Sequence, residues 1–172
     1  MHSIICSIIT MSDKHILIKD FPLSPSINKC YRNLPRGGRC STKDLLDYKE
    51  SCRIWAIKNK NIIESAKYLL NGEWKDRILR LDAYFIFKRE RLYCKNGKPK
   101  KNDVGNYLKA FEDCLYKELG IDDSFNFGIY LEKSEGQTEG IIVFISVISP
   151  LTAIEIMQNF SEQAPESSEK IQ

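Results

Sequence analysis

Between Lys98 and Asp123 the chain reads KPKKNDVGNYLKAFEDCLYKELGIDD, which crowds lysines, an aspartate and an asparagine into the start of one segment and closes it with twin aspartates. Hydrolysis of a phosphodiester needs a metal-activated water and compensation for the charge that builds on the phosphate. Carboxylates hold Mg²⁺ or Mn²⁺, and a nearby lysine stabilises the transition state. Helical spacing sets Asp103, Asn106 and Lys109 on one face, and Asp113 continues that stripe. Asp122 and Asp123 come after the helix and fold back toward its beginning only if the next strand passes beside it. Each residue also has a plain role: Asp103 as a helix N-cap, Lys109 as a surface lysine paired with Asp113, Asp122 as a turn former. Gly105 stands where a second aspartate would make a stronger metal site.

The approach to this motif is basic. From Lys88 to Lys101 seven lysines and arginines face a single Glu90, and Asn96-Gly97 and Pro99 mark the run as loop. Lys98, Lys100 and Lys101 lead directly into the acidic motif, where they suit a nucleic-acid backbone. The PRGG loop at 35–38 offers a second phosphate contact.

The elements that must carry these residues follow from periodicity. KHILIKDF, 14–21, is a strand stopped by Pro22 and Pro25. Ser41 as N-cap opens a helix with Leu45, Tyr48, Cys52, Trp55, Ile62, Ala66 and Leu69 on one side, running to about Leu70 before Asn71 and Gly72. Its other side is lysine-rich and reads either as solvated or as facing DNA. Residues 77–88 switch to period two, with Leu79, Leu81, Ala83, Phe85 and Phe87 on one face. Asp103 to Leu119 is the second main helix, burying Tyr107, Leu108, Phe111, Cys114, Leu115 and Leu119. A strand through Phe125–Leu131, a hairpin turn at KSEGQTEG and a central strand at 141–148 complete the order β-α-β-α-β-β. This is an α+β domain with a mostly antiparallel sheet. Residues 1–13 read as an N-terminal extension, with Met11 an alternative start. Residues 14–149 read as the domain, and 150–172 as a short helix and disordered tail.

A chain of 172 residues suits one domain with a real core. The net charge is +3, and the last twelve residues carry three Glu and one Lys. That leaves 25 Lys and Arg against 20 Asp and Glu over residues 1–160, a balance that suits polyanions. The six cysteines form no C-x-x-C pair and have no histidines at zinc spacing. They read as free thiols of a reducing compartment. The opening IICSII is too short for a membrane span and lacks a signal peptide's pattern, so a cytoplasmic protein is expected.

Taken together, the motifs resemble the RusA family of Holliday junction resolvases, found in bacteria and prophages. FPLSPSINKCYR, 21–32, is similar to that family's Pro-Pro-Ser-x-Asn-x-x-Tyr segment, with Pro25, Ser26, Asn28 and Tyr31 in place. A Ser-led helix follows. Asp103 to Lys109 matches the signature Asp-x-Asp-Asn-x-x-Lys except at Gly105, and Asp122-Asp123 matches the later Asp pair. The resemblance runs in order through residues 14–148. It implies a homodimer that binds four-way DNA junctions in recombination and repair and nicks two strands with Mg²⁺, Mn²⁺ being the other candidate. In that reading Asp103, Lys109 and Asp123 are catalytic. Asp103, Asp123 and Asp122 hold the metal, Asn106 supports, and Asn28, Lys29, Tyr31 and Arg32 join Lys98, Lys100 and Lys101 on DNA. Two alternatives stand beside it: a relative disabled by Gly105 that binds junctions without cutting, and a protein-interaction domain whose basic faces are merely solvated.

Overall fold

A computed structural model describes residues 15–70 and 78–148. The expectations for residues 1–13, for the helix stop at Asn71-Gly72 and for the segment 150–172 lie outside the described residues. The fold is α+β. Four strands form a mixed sheet in the order β1-β6-β4-β5, where β1 is His15–Phe21, β4 Ile78–Phe87, β5 Asn126–Glu135 and β6 Gly140–Ile148. β6 pairs antiparallel with both β1 and β4, while β5 runs parallel to β4. A parallel neighbour needs a long crossover. The segment between β4 and β5 supplies it, with a short helix α4 (Arg89–Leu92) and then α5 (Gly105–Leu119).

The period-two pattern of β4 translates directly into packing. Leu79, Leu81, Ala83, Phe85 and Phe87 are all fully buried on the helix side. Phe85 meets Phe111 of α5 edge-on with centroids 5.5 Å apart, and Phe87 meets Tyr107 at 5.2 Å. Phe21 at the end of β1 joins Phe111 to Trp55 of the next helix, at 5.8 and 5.0 Å. This aromatic cluster fixes α5, and with it the charged residues on its outer side. Of the residues expected in the α5 core, Leu108 is only half-buried, while Tyr116 is buried in addition.

Four sequence expectations change. The helix expected from Ser41 to about Leu70 is two helices, α2 (Lys43–Lys58) and α3 (Lys60–Leu70). Asn59 divides them: its backbone N–H and its side-chain amide both donate to the Trp55 carbonyl, and its own carbonyl accepts from Ile62 and Ile63. An asparagine side chain competes with the helix's own ladder in this way. The cap of α2 is Thr42, whose Oγ1 accepts from the Leu45 N–H, while Ser41 ends a strand.

The expected hairpin of β5 with β6 is also replaced. The two strands lie on opposite sides of β4, and the turn crosses the end of β4, where the Gly136 N–H donates to the Phe87 carbonyl at 2.9 Å. β4 is buried on one face and half-buried at Tyr84 and Ile86 on the other, so both its edges are best satisfied between strands. Finally, the loop around PRGG is a small hairpin of β2 (Tyr31–Asn33) and β3 (Arg39–Ser41), preceded by a single-turn helix α1 (Ile27–Cys30). Gly37 and Gly38 both take φ near +85°, which the tight return requires. The expectation of a central, doubly apolar strand at 141–148 agrees with the place of β6 between β1 and β4.

Candidate functional site

The outer face of α5 carries the site. Lys109 Nζ lies 2.7 Å from Asp113 Oδ1 and 3.4 Å from Asp123 Oδ2. Asp113 is one turn further along the same helix. Asp123 arrives from the short 3-10 turn Asp123–Phe125, which leads into β5. Gly120, in the left-handed conformation, ends α5 and turns the chain back toward its flank. The return brings Asp123 to Lys109, in the second turn of α5. Asp113, then Asp123, raises the Lys109 ammonium above its usual range. All three side chains are substantially exposed, so the pairings are screened and cheap to exchange.

Asp103 stands apart from this triad in its bonding. It precedes α5, and its Oδ1 accepts from the Gly105 N–H at 3.0 Å, while its carbonyl accepts from the Asn106 N–H at 3.3 Å. Val104 takes the N-cap position of α5, and Asp103, one residue earlier, makes a local turn bond to Gly105 instead of the expected N-cap bond. Asn106 is half-buried in the first turn of α5. A Cβ added at Gly105 would lie 3.4 Å from Asp103 Oδ1, an ordinary contact, so this backbone admits a side chain there. Asp122 behaves as a turn former: its Oδ1 accepts from the Ser124 N–H at 2.8 Å, and hydrogen bonds from Ser124 lower its carboxyl below the usual value.

Lys133 and Glu112 were not anticipated. Lys133 Nζ donates to the Asn102 carbonyl beside Asp103. It sits on β5 opposite Phe85 of β4, so its helix-side orientation follows from strand alternation once the parallel pairing is known. Glu112 Oε1 accepts from the Asn126 side-chain amide at 3.0 Å and ties α5 to the start of β5. Beneath them Tyr116 is buried; burial first, then the charges of Glu112 and Asp123, push its hydroxyl well above the usual tyrosine range.

The expected DNA-contacting residues are all exposed, but on separate elements. Asn28 and Lys29 lie on α1, Tyr31 and Arg32 on β2, and Arg32 Nε donates to Cys40 Sγ at 3.0 Å. Lys98, Lys100 and Lys101 follow the Asn96-Gly97 turn. That turn is closed by a Tyr93–Pro99 bridge and by the Cys94 N–H donating to the Lys98 carbonyl. Lys100 Nζ donates to the Glu90 carbonyl at 2.6 Å, which fixes the loop. Cys30, Cys40, Cys52, Cys94 and Cys114 are free thiols. No helix among the described residues is long and apolar enough to cross a membrane.

The oxygens of Asp103, Asp122 and Asp123 are hard donors of the kind Mg²⁺ takes. Among the described residues no group of three or more His, Cys, Asp or Glu side chains gathers to hold a metal ion. Mg²⁺ commonly binds through one or two carboxylates, with water and substrate phosphate completing its shell. The exposed carboxylates fit that mode, and they do not form a protein-only cage. A scan against models of known protein families finds no match for this sequence, and a search of curated proteins finds none either.

Proposed function

We propose that this chain is a RusA-like, structure-specific endonuclease that hydrolyses phosphodiesters at four-way DNA junctions, acting as a homodimer with Mg²⁺ or Mn²⁺. The observation that carries the reading is the meeting of Lys109 with Asp123, fourteen residues apart in sequence and 3.4 Å apart in the fold. These are the lysine and the late carboxylate to which the resemblance gives catalytic work. Asp103, Asp123 and Asp122 would be the residues that hold a divalent cation, which when bound would supply an activated water and part of the charge compensation. Lys109 exchanges its exposed carboxylate partners for a phosphate oxygen and stabilises the charge that develops there. Lys98 and Lys101 hold the backbone as it enters, and Lys29 on α1 and Arg32 on β2 add further contacts. Asn106 braces the first turn through its N–H to the Asp103 carbonyl.

Gly105 favours a second reading, a junction binder that does not cut, because it contributes no oxygen beside Asp103. One experiment separates the two: incubation of the native chain with a synthetic four-way junction and Mg²⁺ or Mn²⁺, beside Asp103→Ala and Asp123→Ala. Metal-dependent nicking lost in both variants supports the endonuclease. Equal nicking by native chain and variants overturns it. Salt-sensitive binding without nicking, with turnover appearing only in Gly105→Asp, supports the binder.

A further inference from the structure

A cleft of about 500 Å³ opens between the proline-rich segment after β1 and the first half of α2. Pro25 and Tyr107 give it apolar surface, and four charged residues line it: Lys29 and Arg91, Asp44 and Asp47. One wall is fixed, because the buried Ser24 hydroxyl donates to the Tyr107 carbonyl at 2.8 Å and ties the proline segment to α5. Lys29, Asp44 and Asp47 make no ion pair among the described residues, while Arg91 is held by Glu139 at 3.2 Å. Opposite charges therefore face one cleft without neutralising each other across it.

That lining selects a ligand class. With two cations against two carboxylates the lining carries no net charge, so the cleft suits a neutral group that bears both donors and acceptors better than the DNA backbone. A nucleobase is neutral and flat, carries N–H donors for carboxylates, and carries carbonyl or ring-nitrogen acceptors for Lys29 and Arg91. The size suits it, since ligand clefts of this kind run from roughly 300 to 1,000 Å³. The placement suits it too: Lys29 belongs to the segment expected on DNA, and Tyr107 directly follows Asn106. Removing a base from the stack costs least where its hold is already weakened, and a branch-point base, though paired, lies where continuous stacking is interrupted.

We propose that this cleft receives one unstacked nucleobase at the branch point of the junction, with Asp44 and Asp47 accepting from its edge. The inference rests on the reading of the chain as a junction-DNA protein. Its test is binding without metal, followed by fluorescence anisotropy, of an intact four-way junction and of one with abasic residues at the branch-point nucleotides. The native chain is expected to prefer the intact junction roughly tenfold, the range found when a single base contact is lost. The Asp44→Ala/Asp47→Ala double variant removes both acceptors, alters exposed side chains only and is expected to bind both junctions alike. A 2-aminopurine at the branch point should change its emission on binding the native chain and not on binding the double variant. Equal native affinity for the two junctions, or an unchanged tenfold preference in the variant, overturns the inference and leaves the functional reading standing. Binding to neither junction overturns both.

Discussion

The two faces of α5 are built by different rules. Its inner face, Tyr107, Phe111, Leu115 and Leu119, is set by helical repetition against the period-two face of β4, and every one of these residues is buried. Its outer face carries Lys109 and Asp113, and its third member, Asp123, comes from beyond the end of the helix. The inner face is therefore a local property of the sequence, while the outer one depends on where the chain goes after Gly120. A helix held firmly by one face presents the other at fixed positions, which the role proposed for Lys109 requires.

The largest expected effect tests the inner face. Phe111→Ala removes a ring that touches Phe21 and Phe85 at once, and should cost about 3–5 kcal/mol of stability in urea unfolding. A loss below 1 kcal/mol would show that the aromatic cluster does not anchor α5. On the outer face, Lys109→Ala should lower the rate of junction nicking roughly 100-fold with the fold intact by circular dichroism. An unchanged rate would separate Lys109 from the chemistry.

A smaller effect sharpens the division of the outer face between its two carboxylates. Asp113 sits closer to Lys109 than Asp123 does and is the main cause of its raised ammonium. Asp113→Asn should tighten junction binding by about two- to fivefold, in keeping with an exposed pair. The gain should vanish when Lys109 is already Met; a gain that persists there would mean only that a negative charge was removed. The smallest effect is alkaline. Tyr48 and Tyr116 are buried and their hydroxyls lie above the ordinary value of 10.0. Because the folded values are raised, their contribution to stability is whole below pH 10 and declines above it as the unfolded chain ionises. Absorbance titration should show these two tyrosines ionising only with unfolding, and ionisation near pH 10 in the folded chain would contradict their burial.

What was legible in the sequence follows the same division. The buried face of β4 and the inner face of α5 rest on periodicity, β1 on a short apolar run stopped by prolines, and the central place of β6 on apolar residues on both its faces, and all appear where local sequence puts them. The break at Asn59 was not legible because the apolar repeat continues past it from Trp55 to Ile62 and hides a cap made by one side chain. The β5–β6 arrangement was missed because a short turn between strands reads as a hairpin, and nothing local reveals that β4 lies between them. At the site, the Lys109–Asp113 pair was readable as an i, i+4 contact, whereas Lys133 at the Asn102 carbonyl depends on the parallel register of β5.

The most direct measurement is cleavage of a synthetic four-way junction by the native chain and by Gly105→Asp, with Mg²⁺ and with Mn²⁺. A Cβ fits at Gly105, so the variant adds a carboxylate beside Asp103 without rebuilding the backbone. Metal-dependent nicking by the native chain, faster in the variant, is the predicted result. Silence of the native chain in both metals, with cutting restored only in Gly105→Asp, would contradict the endonuclease and leave a protein that holds the junction without cutting it.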